Sequence, residues 1–109
     1  MPIRVKPHKY GAKPQTVDGI RFASTKEAKR YGELRLLEKA GEIQELKLQP
    51  EFPLCVDGTR IGVYRADFEY VETRTWDLAI EDVKGVKTPL YKWKKKHVEA
   101  QFGITIREL

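Results

Sequence analysis

Two helices with readable start and stop signals enclose a stretch of chain whose hydrophobic period is two. That arrangement limits the fold more than any other feature. Ser24-Thr25-Lys26-Glu27 fits a capping box, with Ser24 at the N-cap and Glu27 at the third helical position. Tyr31, Leu34 and Leu37 then recur at i, i+3 and i+6 as an apolar stripe, and Ala40-Gly41 supplies a glycine stop. The second helix opens at Thr88-Pro89, an N-cap followed by proline at the first helical position, and ends near Phe102 before Gly103.

The enclosed stretch, Glu42 to Lys84, reads as three strands. In the first, Leu46, Leu48 and Phe52 alternate with polar residues, while Pro50 and Pro53 suggest an irregular or edge course. Asp57-Gly58 marks a hairpin turn. The second strand, residues 60–71, puts Tyr64, Ala66, Phe68 and Tyr70 on one face. A polar turn near Thr73-Arg74 leads to a third strand from Thr75 to Val83, stopped by Gly85. There Trp76, Leu78, Ile80, Asp82 and Lys84 share a face, with the first three expected in the core. Ile104, Thr105 and Ile106 give a short last strand, and Asp18-Gly19 predicts a tight turn before the first helix. Consecutive strands with short turns form an antiparallel meander, and a strand returning after a helix lies parallel to its neighbour. The expected class is α/β with a mixed sheet (α+β or mixed α/β), helices packed on one sheet.

A chain of 109 residues fits one small domain. Residues 1–14 contain Arg4, Lys6, Lys9 and Lys13, no acid, three prolines and Gly11, which reads as a basic extended arm before a domain over 15–109. Such an arm is either a frayed terminus or a line of charge along phosphates with Tyr10 free to stack. Lys and Arg number 21 against 16 Asp and Glu, a net charge of +5 that points to a polyanionic partner. No apolar run approaches the ~20 residues of a membrane span, so no membrane partner is expected. No secretory signal is evident, and the expected location is the cytoplasm. The lone Cys55 excludes a disulfide framework and reads as a small buried hydrophobe. His8 and His97 lack metal-ligand spacing, and no glycine-rich phosphate loop is present.

The acidic residues sit in unusual places. Asp67 falls mid-strand, where aspartate is disfavoured. Asp82 and Lys84 leave the core side by side at a strand end, which an ordinary solvated ion pair also explains. Asp67 and Asp82 lie on neighbouring strands, so their carboxylates converge, and a divalent cation such as Mg²⁺ removes their repulsion. Glu27 lies within about 20° of Leu34 on the helix, inside the apolar stripe. A capping role accounts for it, and so does a reach toward the same sheet edge. Gln49 could orient a water or a phosphate. Lys92, Lys94, Lys95 and Lys96 form either a solvated basic face or a phosphate-tracking surface. Trp93 reads as a packing residue, including at a dimer interface.

The element order and the set Glu27, Asp67, Asp82-Val83-Lys84 resemble the PD-(D/E)XK nuclease superfamily. Asp67 matches its first aspartate, Asp82 its second carboxylate and Lys84 its lysine, while Ala66 replaces the proline. Ser24 to Glu27 with Leu48-Gln49-Pro50 looks like the pattern of transposase-type and resolvase-type members. More narrowly, the chain is similar to a family of small phage proteins long labelled a domain of unknown function. Lys9-Tyr10-Gly11-Ala12-Lys13, Val17-Asp18-Gly19, Phe22, Ser24, Glu27-Ala28, Leu48-Gln49-Pro50 and Glu81-Asp82-Val83-Lys84-Gly85 carry that likeness. The resemblance implies a restriction-endonuclease-like core of order α-β-β-β-α-β. It implies Glu27, Asp67, Asp82 and Lys84 as catalytic residues, and Glu27, Asp67, Asp82 and the Val83 carbonyl as ligands for Mg²⁺, with Mn²⁺ as substitute. Lys9, Tyr10, Lys13, Gln49 and the second-helix lysines are the expected nucleic-acid contacts. The implied activity is hydrolysis of DNA phosphodiesters, duplex or branched, including Holliday junctions, in a phage-infected bacterial cytoplasm. Two cuts from a chain with one site imply a homodimer. A catalytically inactive nucleic-acid-binding protein of the same fold and a phage protein-interaction factor are the alternatives.

Overall fold

The computed structural model describes residues 13–109. Of the basic arm, Lys9 and Tyr10 lie outside the described residues, whereas Lys13 is exposed at the start of them. Strands β1 (Gln15–Val17) and β2 (Ile20–Phe22) pair antiparallel. Helix α1 spans Thr25–Lys39. Four strands follow, β3 (Ile43–Leu48), β4 (Glu51–Val56), β5 (Thr59–Arg65) and β6 (Phe68–Glu72). They precede β7 (Leu78–Asp82), helix α2 (Pro89–Phe102) and β8 (Ile106–Glu108). The central sheet has the order β3-β6-β7-β8, antiparallel except for the parallel β7–β8 pair. The fold is therefore mixed α/β, with one mixed sheet and two helices.

Local chemistry explains the turns and helix ends. Asp18-Gly19 and Asp57-Gly58 all have positive φ, the requirement of a type I′ hairpin turn. The Ser24 hydroxyl accepts from the Glu27 N–H at 3.1 Å, and the Thr88 hydroxyl accepts from the Tyr91 N–H at 3.1 Å. Gly103 closes α2 in the left-handed conformation, φ 65°.

The two long strands expected from the hydrophobic period are present, but each is broken once. β3 runs on into β4 and β5 into β6, and the paired ladder bends where Gln49-Pro50 faces Ala66-Asp67. Gln49 takes φ 51°, a left-handed conformation that costs an ordinary residue ~1–2 kcal/mol. In return its N–H donates to the Asp67 carbonyl at 2.9 Å, while the Asp67 N–H donates to the Glu81 carbonyl at 3.0 Å. Asp67 thus occupies the break between β5 and β6, not a strand interior. The bend also redirects the alternation. Tyr64 and Ala66 pack with Ile80, Tyr91 and Val98 on the α2 side. Phe68 and Tyr70 pack with Tyr31, Leu34 and Ala79 on the α1 side. Expected on one face, these four residues feed two cores.

Both faces of β7 are consequently buried, Ala79 toward one core and Ile80 toward the other. Trp76 and Leu78, expected in the core, are 70% and 51% exposed. The strand begins only at Leu78, Trp76 stands in a left-handed turn at φ 63°, and β8 covers β7 only from Ile80 onward. The last strand starts two residues later than Ile104, the predicted start. Cys55 is half-buried, its N–H donating to Gln101 Oε1 at 2.9 Å. The Gln101 amide also donates to the Pro53 carbonyl at 3.0 Å, so α2 grips the β4–β5 hairpin by its backbone. Trp93 is 51% exposed and lies 5.5 Å from the His97 ring, packed on its own helix instead of in a core.

Candidate active site

Three elements deliver acids to the end of the central sheet. α1 contributes Glu27 from its first turn, the β5–β6 break contributes Asp67, and the last residue of β7 contributes Asp82. Glu27 is 5% exposed and Asp82 is 0% exposed, so neither is surface solvation. Asp82, expected to emerge from the core, stays inside it. Lys84 follows, its Nζ 3.3 Å from Asp82 Oδ1 and 5.1 Å from the Tyr91 ring centroid.

Asp82's two oxygens have different surroundings. Oδ2 accepts from the Tyr64 hydroxyl. Oδ1 has no hydrogen-bond partner, and it is the one buried side-chain oxygen or nitrogen among the described residues in that condition. The Lys84 ammonium approaches it without the alignment of a hydrogen bond. Buried acceptors without partners are rare and costly. Asp67 Oδ2 accepts from the Val83 N–H at 2.6 Å, so Val83 meets the site through its amide.

The acids raise one another's proton affinity. Burial pushes Asp67 up to about 7, opposed by the Val83 N–H. The neighbouring carboxylates of Asp82 and Glu27 add to the rise. Glu27 is raised as well, chiefly by burial, with Lys84 opposing and Asp82 reinforcing the rise. A hard cation offsets this mutual repulsion, and an Asp82 oxygen without a hydrogen-bond donor is the kind of ligand it takes. The oxygen chemistry of Asp82 suits a hard cation such as Mg²⁺, but among the described residues no three His, Cys, Asp or Glu side chains stand close enough together to hold a metal ion.

A pH dependence follows. Asp67 titrates near 7 when folded, against an ordinary value of 3.8, so between those values the folded state binds more protons than the unfolded one. Stability without divalent cation is expected to fall as pH rises from about 4 to about 7, then to level off. Melting temperatures in EDTA across that range test this, and Asp67→Asn is expected to flatten the slope. A melting temperature that climbs steadily over the same interval contradicts it.

The remaining expected contacts separate. Gln49 stands beside Asp67 through its backbone, with its side chain exposed. Lys95 is committed to Glu108 at 3.4 Å and Glu99 at 3.9 Å. Lys92, Lys94 and Lys96 make no ion pair among the described residues, with Lys92 and Lys96 exposed and Lys94 half-buried.

Sequence reasoning missed Tyr64, whose phenol fixes Asp82 and whose own proton is held tightly by burial and that hydrogen bond. Its signal was a tyrosine at an inward strand position, where a hydroxyl needs a partner. It also missed the second centre on β7. Glu81 is 1% exposed and meets Arg30 in a two-pronged pair, Nε to Oε1 at 2.8 Å and Nη2 to Oε2 at 2.6 Å. The Tyr70 hydroxyl also donates to Glu81. Adjacent strand residues face opposite ways, so Glu81 points toward α1 while Asp82 points toward Tyr64.

No helix among the described residues is long and apolar enough to cross a membrane. Comparison with curated proteins found no match, and neither did comparison with solved structures. Residues 7–107 match a protein family described as a protein of unknown function, DUF1064. A match over nearly the whole chain, spanning every element from β1 to α2 and with them Glu27, Asp67 and Asp82, makes the protein a member of the DUF1064 family.

Proposed function

We propose that the protein is a Mg²⁺-dependent DNA endonuclease with a restriction-endonuclease-like core of the PD-(D/E)XK type. The observation that carries this reading is the buried Asp82 carboxylate, one oxygen fixed by Tyr64 and the other unpartnered 3.3 Å from Lys84 Nζ. At 0% exposure that oxygen meets the Lys84 charge but no hydrogen-bond donor, which leaves its lone pairs open to a cation.

Asp82 and Asp67 would hold the cation, Glu27 would complete its charge balance, and the Val83 carbonyl would be a further ligand. The cation, Mg²⁺ or Mn²⁺, supplies Lewis-acid polarisation of the phosphoryl oxygen and a more acidic water. Lys84 orients the attacking water and offsets charge that develops on the phosphate. Tyr64 keeps Asp82 in one rotamer. Lys13, Lys92, Lys94 and Lys96, together with Lys9 and Tyr10 of the arm, hold the strand. Cutting both strands, or both arms of a junction, requires two such sites and hence a homodimer. The setting is phage DNA processing in the cytoplasm of a bacterial host, with a Holliday-junction-like branch as a natural substrate.

Incubation of the protein with labelled linear, nicked and four-way-junction DNA, with Mg²⁺ and with EDTA, tests this. Cleavage in Mg²⁺ and none in EDTA is expected. Binding that weakens steeply with salt but never leads to a cut points instead to a non-catalytic DNA-binding protein. Neither binding nor cutting points to a protein partner.

A further inference from the structure

The cleft between β5 and the first turns of α2 adjoins the acids, shares Tyr64 and Lys84 with them and is otherwise built from other residues. It encloses about 320 Å³, close to the lower end of the ~300–1,000 Å³ typical of ligand pockets. Val63, Leu90 and Tyr91 form an apolar wall, and Arg65, Lys84 and Lys94 form a cationic rim. No acid lines it. Leu90 is 61% exposed, an apolar surface set among three cations. Among the described residues Arg65 is held only by an exposed pair with Glu51 at 3.4 Å, which a phosphate can displace. Lys84 belongs to both places, since it stands over Tyr91 and beside Asp82.

A wall for a flat apolar ring, a rim for a phosphate and space for little more describe one nucleotide. We propose that this cleft receives a single unstacked nucleotide of the strand whose neighbouring phosphate lies at Asp82. The base rests on Val63 and Leu90, and the nucleotide's phosphate meets Lys94 and Arg65. This rests on the nuclease reading above and adds its substrate class: DNA with an unpaired nucleotide, as at a flap or branch, ahead of continuous duplex. Extruding a nucleotide from an intact stack costs energy that a branch has already spent.

The test uses the whole protein in EDTA, where DNA stays intact, with a labelled flap duplex and the matching perfect duplex. The flap is expected to bind more tightly. Leu90→Glu is expected to abolish that preference and weaken flap binding about five-fold or more, the loss associated with one base contact. Lys94→Ala is expected to lower the salt slope by nearly one. Leu90 and Lys94 are not core residues, so amide spectra matching the wild type outside the cleft are expected to show that both variants fold. Thymidine 5′-monophosphate titrated into labelled protein is expected to shift the amides of Val63, Arg65, Leu90 and Lys94. Equal binding of flap and duplex, or nucleotide shifts confined to other residues, overturns the cleft assignment. Wild-type protein that fails to cut any DNA in Mg²⁺ overturns the nuclease reading instead, so the two failures are distinct.

Discussion

Asp82→Asn is expected to remove cleavage while making the cation-free protein melt higher than the wild type. The substitution keeps the size of the side chain and an oxygen for the Tyr64 hydroxyl, but it withdraws the negative charge from beside Glu27 and Asp67. Loss of an outer partner of a metal ligand costs ~10–100-fold, and loss of the ligand itself is expected to exceed that. For a domain of this size each 1 kcal/mol of relieved repulsion raises the melting temperature by roughly 4–8 °C. Mg²⁺ is expected to raise the melting temperature of the wild type, because a ligand that binds only the folded state stabilises it, and to leave Asp82→Asn unmoved. Cleavage assays and melting curves with and without Mg²⁺ read both effects. A variant that cuts DNA like the wild type, or gains as much stability from Mg²⁺, is incompatible with Asp82 as the ligand. The pairing of lost activity with gained stability is the mark of a site that folding alone does not favour.

Arg30→Ala is expected to be the most destabilising single change outside the apolar cores. It leaves Glu81, 1% exposed, with the Tyr70 hydroxyl as its remaining partner and no compensating charge. Breaking a buried pair from one side typically costs ~3–5 kcal/mol. That is a large share of the ~5–15 kcal/mol by which a small domain is stable. The double replacement Arg30→Met with Glu81→Leu is expected to recover most of the loss, since apolar residues of similar volume can replace a buried pair at little cost. Urea unfolding of the three variants measures this. An Arg30→Ala protein within about 1 kcal/mol of the wild type shows that water reaches Glu81 and that the pair is a surface one.

The two centres were not equally legible in the amino-acid sequence. Helix ends were plain, because Ser24, Gly41, Thr88 and Gly103 each meet a backbone requirement that few residues satisfy. Both Asp-Gly turns were plain for the same reason. The parallel last strand followed from the crossover helix. Strand interiors were less clear. Period two located Tyr64, Ala66, Phe68 and Tyr70, but the bend at Ala66-Asp67 changed which core each pair entered. That bend depends on Gln49 adopting φ 51° on the opposite strand, a choice made by tertiary packing and not by glutamine. Trp76 and Leu78 misled because hydrophobic character was read as burial, while β8 is too short to cover them. In the candidate site, Glu27, Asp67, Asp82 and Lys84 were nameable one by one, since each is a charge in an apolar setting. Tyr64 and Arg30 were not, because a tyrosine in a strand and an arginine on a helix are ordinary until their partners are known.

Glu81 and Asp82 are successive residues whose carboxylates face opposite sides of one strand. The first closes a buried ion pair and the second meets Tyr64 and Lys84. Their assignment rests on register alone: Phe68 opposite Glu81, and the Leu109 N–H bound to the Asp82 carbonyl at 3.0 Å. A slip of one residue exchanges the two acids and ruins both centres together, though composition and hydrophobic pattern barely change. Length is therefore as restrictive as chemistry over the segment from Phe68 to Asp82, where a single inserted or deleted codon does the damage of several point changes. The hairpin tip at Asp57-Gly58 carries no such burden, and that is where this architecture has room to diversify.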